Sequence, residues 1–206
     1  GSYINKFEDN FSSYSDCLYG IAVCNGTAAL HLALLSLEIG IGDEVIIPDL
    51  TFAATINAVL HANAIPAIVD VEEDSWCISA KEIEKAITPK TKAIIPVHLY
   101  GQPCDMGAIM DIAKKYKLKV IEDCAEAHGA MFNNQKVGSF GDIGCFSFYG
   151  NKVITTGEGG MCTTNNLLLS NKMKILRDHG MSKEKRYWHD VVGYNYRITN
   201  LQAAIG

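Results

Sequence analysis

The sequence predicts an α/β fold in which helices cover both faces of a mostly parallel sheet. Short apolar runs of strand type alternate with longer stretches of helical type along the chain. This alternation is typical of βαβ units, whose strands are buried on both faces and read as continuous apolar runs. No internal repeat, low-complexity tract or linker interrupts the pattern. We therefore expect one three-layer α/β/α domain.

The first half of the chain contains three predicted strands separated by helices. The stretch 26–40 is apolar almost all round, which predicts a buried helix starting near Gly26. A second helix is predicted over 51–63. The strand-type runs here are 20–24 (GIAVC), 43–48 (DEVIIP) and 64–71 (AIPAIVDV).

The second half continues the alternation. Ser79 and Glu82 have the spacing of a capping box, which predicts a helix that ends before Pro89. Asp105 is expected to cap a helix reaching Tyr116. The strand-type runs here are 92–98 (KAIIPVH), 118–123 (LKVIED), 142–149 (DIGCFSFY) and 159–164 (GGMCTT). The segment 198–206 looks like a helix cut short, so we expect the sequence to be a fragment of a longer protein.

Composition excludes several classes of function. Hydrophobic residues make up 48% and charged residues 20%, and the net charge is −5, so a nucleic-acid partner is not expected. No apolar run reaches the length of about 18 residues that a membrane helix needs, and no signal-peptide pattern is present. The 7 cysteines include no CxxC pair, which indicates reduced thiols in a cytoplasmic protein. Cys124 and His128 have metal-ligand spacing but no second pair, so no metal is expected.

In an open parallel sheet, ligands bind beyond the carboxyl ends of the strands. The segments that follow the predicted strands are 25–27, 49–52, 98–101, 123–128 and 147–152. Candidate functional residues are therefore sought in these five segments.

Lys152 lies between the apolar run CFSFY and the glycine-rich run TTGEGG. A desolvated lysine can present a neutral amine, and a neutral amine can attack a carbonyl carbon. A solvated surface lysine would be the ordinary alternative. Ser147, five residues earlier, ends the preceding strand and has a hydroxyl that can contact an anion.

Gly26 and Thr27 open a predicted helix, and the N-terminus of a helix is a natural site for phosphate. An ordinary helix start would have the same sequence. The segment is neither a Walker A loop nor a GxGxxG fingerprint, so binding of NAD or FMN by a doubly wound fold is not favoured.

Asp123 and Phe52 complete the candidate constellation. Asp123 ends a strand beside Glu122, and alternation should point the two carboxylates to opposite faces. A helix cap or a salt bridge would equally explain a buried aspartate. Phe52 follows the second strand and can stack on a planar heterocycle, although a core aromatic would look the same. An amine, an acid, an aromatic face and an anion cup together fit pyridoxal 5′-phosphate.

Six stretches carry a resemblance to a known family. They are NGTAALHLAL, PDLTFAATINAV, IPVHLYGQPCDM, VIEDCAEAHGA, GDIGCFSFYGNKVITTGEGGM and YWHDVVGYNYRITNLQAAIG. Together they resemble the sugar aminotransferases of the DegT/DnrJ/EryC1/StrS family, which are fold-type-I enzymes dependent on pyridoxal phosphate. The resemblance implies the aspartate-aminotransferase-like large domain over residues 1–206, with a small C-terminal domain missing.

The resemblance also implies residue roles. It places the lysine that binds the cofactor covalently on Lys152 and the partner of the pyridine nitrogen on Asp123. It places phosphate contacts on Thr27, Ala28 and Ser147, beside Gly26, and the stacking aromatic on Phe52. Glu126 stands where the family usually has glutamine, against the phenolic oxygen of the cofactor, so either Glu126 or that oxygen would hold a proton.

The segment GYNYR resembles one that crosses to a partner subunit. A homodimer with a shared active site is therefore implied, with Asn195 completing the cofactor pocket and Arg197 and His128 contacting substrate. The neighbouring stretch is most similar to family members that transfer an amino group from L-glutamate to C4 of a GDP-linked 4-keto-6-deoxyhexose, for surface-glycan biosynthesis. Alternatives left open are a dTDP-sugar aminotransferase and a non-catalytic regulatory or structural member. A sugar 3-dehydratase would carry histidine in place of Lys152.

Overall fold

A computed structural model describes residues 1–182 and 184–206. The helices are α1 (Ser2–Tyr14), α2 (Gly26–Ser36), α3 (Ala53–His61), α4 (Ala80–Ala86), α5 (Met106–Tyr116), α6 (Leu167–Arg177) and α7 (Asn200–Ile205). The strands are β1 (Tyr19–Val23), β2 (Glu44–Pro48), β3 (Ile65–Val69), β4 (Thr91–Ile94), β5 (Lys119–Asp123), β6 (Met131–Phe132), β7 (Gln135–Lys136), β8 (Ile143–Ser147) and β9 (Gly160–Thr164).

The main sheet has seven strands in the order β1-β9-β8-β5-β4-β2-β3. The pairs from β8 through to β3 are parallel, whereas β9 runs antiparallel to both β8 and β1. The connection from β8 to β9 contains no helix, and a parallel crossover usually requires one. The structure thus confirms the predicted mostly parallel sheet and adds one reversed strand.

Helix α2 lies at the centre of the largest apolar cluster, packed against strands β5, β8 and β9 and helices α3 and α6. Because neighbours surround it, nearly every side chain from Ala28 to Leu34 is buried. This explains why its sequence is apolar all round. A second cluster, on the other face of the sheet, includes Phe7 and Phe11 of α1. Helices α1 and α6 and the β6–β7 hairpin were not predicted from the sequence.

Predicted helix ends are confirmed in part. Asp105 caps α5, with its carboxylate accepting a hydrogen bond from the Ala108 N–H at 3.1 Å. Helix α4 forms and ends before Pro89, but the capping box predicted for it is wrong, because Ser79 makes no side-chain cap bond. The Glu82 carboxylate instead pairs with Lys85 at 2.7 Å. None of the helices that the structure describes is long and apolar enough to cross a membrane.

Candidate active site

A cavity of about 610 Å³ lies at the carboxyl ends of the parallel strands. It is lined by residues from all five segments that follow the predicted strands. The predicted site residues that line it are Gly26, Thr27, Phe52, Asp123, Glu126, Ser147 and Lys152. Ala28, His128, Asn195 and Arg197 are not among the described residues of its wall.

Lys152 points into this cavity from the turn after β8. Its backbone N–H donates to the carbonyl of Tyr149 at 3.0 Å, and its side chain is only 13% exposed. The ammonium Nζ lies 3.2 Å from Oε1 of Glu126. A cation withdrawn from water needs such a partner. The alternative of a solvated surface lysine is therefore wrong.

Asp123 lies at the floor of the cavity, at the end of β5, and is buried. Its Oδ2 accepts a hydrogen bond from the Thr55 hydroxyl at 2.9 Å, and its Oδ1 accepts one from the Ala125 N–H at 3.2 Å. Burial raises the pKa of this carboxyl above its usual range. No cation of the described chain lies within ion-pair distance of it. The acid is thus available to a cationic group in the cavity.

Glu122 faces away from Asp123, as strand alternation predicts. Its fully buried carboxylate accepts hydrogen bonds from the N–H groups of Gly138, Phe140 and Gly141, each at 2.8 Å. His98 Nε2 lies 3.1 Å from the same carboxylate. These bonds tie the loop before β8 to the end of β5, and so fix the strand that carries Asp123.

His98 also belongs to the one group of described residues close enough together to hold a metal ion, with Glu122 and Cys124. Its Nδ1 accepts a hydrogen bond from the Cys104 N–H at 3.1 Å, so its proton lies on Nε2 and is donated to Glu122. The ligand atoms of His98 and Glu122 are therefore already used in hydrogen bonds within the protein. Burial also raises the pKa of the Cys124 thiol well above its usual value, so this thiol is a poor metal ligand. The group is structural.

The N-terminus of α2 forms the phosphate-sized end of the cavity. Asn25 caps the helix by accepting a hydrogen bond from the Ala28 N–H at 2.8 Å. The N–H groups of Gly26 and Thr27, in the first turn, have no acceptor within the helix and can bind an anion. A contact of the Ala28 N–H with phosphate, which the sequence analysis expects, would have to displace the cap.

Gly26 allows the helix to approach Ser147 closely. A Cβ at position 26 would lie 2.8 Å from the Ser147 Cβ and 3.2 Å from its Oγ. The Gly26 backbone and the Ser147 hydroxyl are therefore adjacent in the cavity wall, so that two N–H groups and one hydroxyl can contact the same anion. The residues present therefore fit the phosphate of the expected cofactor.

We expect Gly26→Ala to weaken pyridoxal phosphate binding by at least about tenfold and to destabilise the fold by about 1–3 kcal/mol, because the new methyl overpacks against Ser147. Cofactor titration and thermal unfolding measure the two effects. Gly150→Ala is the matched control, since a Cβ there meets nothing within 4 Å. Equal behaviour of the two variants would contradict the assigned phosphate site.

Phe52 stands at the N-terminal end of α3 and lines the cavity with a side chain that is 75% exposed. The alternative reading, a core aromatic, is therefore wrong. A large exposed aromatic beside Asp123 and Lys152 is free to cover one face of a planar ring.

His128 and the pair Asn195 and Arg197 lie elsewhere. His128 packs on Phe11, Phe146 and Phe148, and neither ring nitrogen has a hydrogen-bond partner among the described residues. The Arg197 guanidinium pairs with Asp178 at 3.0 Å and donates to Asn195 Oδ1 at 3.0 Å, beside the edge strand β1. Contacts of these three residues with substrate or cofactor remain predictions.

Burial lowers the pKa of His128 to about 4, from an ordinary 6.5. The unfolded chain therefore binds a proton below pH 6.5 while the folded chain does not until about pH 4. We expect the free energy of unfolding to fall by about 1 kcal/mol for each unit by which the pH is lowered between 6.5 and about 4. His128→Phe, which suits the aromatic surroundings, should flatten that part of the profile in urea unfolding at several pH values. An unchanged slope would contradict the assignment.

Two contacts of the site were missed by the sequence analysis. Thr55 follows Phe52 by three residues, so one turn of α3 brings its hydroxyl to Asp123. Tyr100 lies in the predicted segment 98–101, yet nothing in its sequence indicated that its N–H donates to Glu126. Helical spacing could have indicated Thr55, whereas the Tyr100 bond depends on the backbone of a turn.

A mostly parallel sheet, with a lysine, a buried aspartate and a helix N-terminus meeting at the carboxyl ends of its strands, is the architecture of aminotransferases of the aspartate aminotransferase type. The sequence model of the DegT/DnrJ/EryC1/StrS aminotransferase family matches residues 1–206, and the chain belongs to that family. GDP-perosamine synthase of Escherichia coli O157:H7 is 53% identical over 206 residues. That alignment covers 100% of this chain and 57% of the relative.

Solved structures agree with the family assignment. The aminotransferase from Psychrobacter cryohalolentis superposes with a TM-score of 0.97 at 45% identity, covering 100% of this chain and 55% of that one. NtdA from Bacillus subtilis, solved with bound cofactor PMP, gives a TM-score of 0.94 at 40% identity and covers 100% and 47%. The chain thus spans about half the length of the proteins it matches.

Proposed function

We propose that the protein is a pyridoxal-phosphate-dependent aminotransferase that moves an amino group from L-glutamate to C4 of a nucleotide-linked 4-keto-6-deoxyhexose. The observation that carries the proposal is the meeting of Lys152, Asp123 and the α2 N-terminus in one cavity. The 53% identity to a GDP-perosamine synthase supports a GDP-linked sugar as the substrate.

When bound, pyridoxal phosphate supplies an aldehyde for an amine and a ring that withdraws electrons from the carbon losing a proton. Gly26, Thr27 and Ser147 would hold its phosphate, and Phe52 would cover one face of its ring. Asp123 would face the ring nitrogen and keep it protonated, a role suited to a buried acid without a cation of its own.

Lys152 would act as the group that binds the cofactor and then carries the proton. Its amine would hold the cofactor between turnovers and, when glutamate occupies the site, would be free to take the proton from the glutamate Cα and carry it at Nζ. In the second half of the reaction, it would move a proton in the opposite direction for the keto sugar. Two half-reactions that take place one after the other in the same site predict ping-pong kinetics.

Assembly and location are proposals of the same kind. Residues 1–206 would form the cofactor-binding large domain of a longer protein, consistent with the 57% coverage of the E. coli relative. Asn195 and Arg197, exposed and outside this cavity, would complete the site of a partner subunit in a homodimer. Seven free cysteines are consistent with a reducing, cytoplasmic compartment.

An amination assay on the full-length protein tests the proposal, with glutamate as donor and GDP- or dTDP-linked 4-keto-6-deoxy sugars as acceptors. We expect the GDP-linked sugar to be preferred. If the dTDP-linked sugar is preferred, the proposed substrate is wrong and the proposed class of reaction stands. Borohydride reduction with pyridoxal phosphate, followed by peptide mass spectrometry, should label Lys152. Absence of that label would contradict an aminotransferase and favour a non-catalytic member of the family.

A further inference from the structure

We propose that Glu126 is a positioning residue that links the left-handed turn at Tyr100 to Lys152. The rigidity of the turn at Tyr100 and the position of the Lys152 amine would then depend on the same carboxylate. The link itself is read from this chain's own contacts, and its meaning for turnover rests on the function proposed above.

The two oxygens of Glu126 have different partners. Oε1 lies 3.2 Å from the Lys152 Nζ, and Oε2 accepts the backbone N–H of Tyr100 at 3.0 Å. The side chain is 31% exposed and lies in the cavity wall between the two donors. The Glu126 backbone also packs against the turn, since a Cβ on Gly101 would be 3.4 Å from the Glu126 carbonyl oxygen. Glu126 is thus in contact with the turn and with the lysine at once.

The turn at Tyr100 is strained, and Glu126 supplements its own backbone bonds, which run from the Gly101 N–H to the His98 carbonyl and from the Gln102 N–H to the Leu99 carbonyl. Tyr100 has φ 52° and ψ 25°, which is the left-handed region, and Gly101 follows with φ 86°. A residue with a Cβ adopts this conformation at an energetic cost, and such strain persists only where the surroundings hold it. The Tyr100 ring is 76% exposed and lines the cavity, so it does not anchor the turn in the core. The bond from its N–H to Glu126 supplies an anchor.

The coupling follows from the sharing of one side chain. While the Lys152 ammonium pairs with Oε1, it restrains the carboxylate that holds Tyr100. When Lys152 holds the cofactor instead, the contact of Nζ with Oε1 is lost, and the Glu126 carboxylate keeps its bond to the turn through Oε2 without that restraint. The wall that carries the Tyr100 ring should therefore loosen when Lys152 is engaged and tighten when it is released. A glutamine at position 126 can still accept from Tyr100 but carries no charge for Lys152.

Amide hydrogen exchange at Tyr100, in the full-length protein without cofactor, tests the link. Glu126→Ala removes the acceptor, so exchange should be about tenfold faster, as expected for loss of a hydrogen bond to a charged group. Glu126→Gln keeps an acceptor and should restore exchange to within about threefold of the wild type. Glu158→Gln is the matched control: it changes another carboxylate of the cavity wall, one that contacts neither Lys152 nor Tyr100 among the described bonds, and should leave exchange unchanged.

Lys152→Met tests the coupling, because it keeps a long unbranched side chain and removes the charge. Exchange at Tyr100 should rise by about threefold, less than in Glu126→Ala, since the acceptor remains but is no longer restrained. Unchanged exchange in either Glu126→Ala or Lys152→Met, with cooperative melting retained, would overturn the proposal. If exchange responds as expected but borohydride does not trap pyridoxal phosphate on Lys152, the proposed function fails while the link stands.

Discussion

Replacing Lys152 with alanine should abolish transamination by the full-length protein, with kcat lowered by on the order of 10⁴ or more. Lys152 is the one lysine among the described residues that line the cavity, and its charge acts on the Asp123 carboxyl. Its removal takes away both the group that binds the cofactor and the group that carries the proton. No neighbouring amine of the described cavity wall can substitute.

Three measurements separate this loss from a folding defect. The rate with glutamate and keto sugar should fall to background, borohydride should no longer attach pyridoxal phosphate to this segment, and the melting temperature should change little, because Lys152 contributes only one partly exposed ion pair. Lys172→Ala removes an exposed ion pair between Lys172 of α6 and Glu38, and this variant should retain full activity. Wild-type turnover in Lys152→Ala would refute the proposed reaction.

Much of the fold was predictable because its signals are local. Buried parallel strands read as apolar runs, and the helix of Asp105 carries its own cap. Helix α1 was missed because its apolar positions make sense only against a partner far away in the sequence: Phe7 and Phe11 pack on Phe146 and Phe148 on the same face of the sheet. The prediction of a capping box at Ser79 was wrong because the Glu82 carboxylate forms an ion pair with Lys85 instead.

Some features of the candidate site were likewise predictable from the sequence and others were not. Lys152, Asp123, Gly26 and Phe52 were predictable because topology brings the ends of parallel strands to one edge, whatever the details of packing. The exposure of Phe52 was not, since an aromatic after a strand is equally common in a core. The partners of Asp123 and Lys152 depend on side-chain reach between separate elements. A bond such as the one from the Tyr100 N–H to Glu126 cannot be predicted from the spacing of residues in the sequence.

Asp123→Asn should give an inactive but intact protein, with kcat lowered by about 10²–10⁴. The change removes the negative charge that would keep the cofactor nitrogen protonated, and it retains the size of the side chain. The Asn oxygen can accept from the Ala125 N–H, and the Thr55 hydroxyl, now 2.9 Å from the second oxygen, can rotate to accept from the new amide. The fold therefore keeps both hydrogen bonds.

The melting temperature of Asp123→Asn distinguishes a functional acid from a structural one. Burial raises the folded-state pKa of Asp123 above 3.8, so in the cofactor-free protein the carboxyl opposes folding increasingly as the pH rises through that range. Asp123→Asn lacks this term and should melt at an equal or higher temperature at pH 7, while it loses activity. Thr55→Val, which removes one bond to Asp123 and leaves its charge, should lose far less activity. A marked drop in melting temperature for Asp123→Asn would instead indicate that Asp123 is a structural acid whose charge the fold requires.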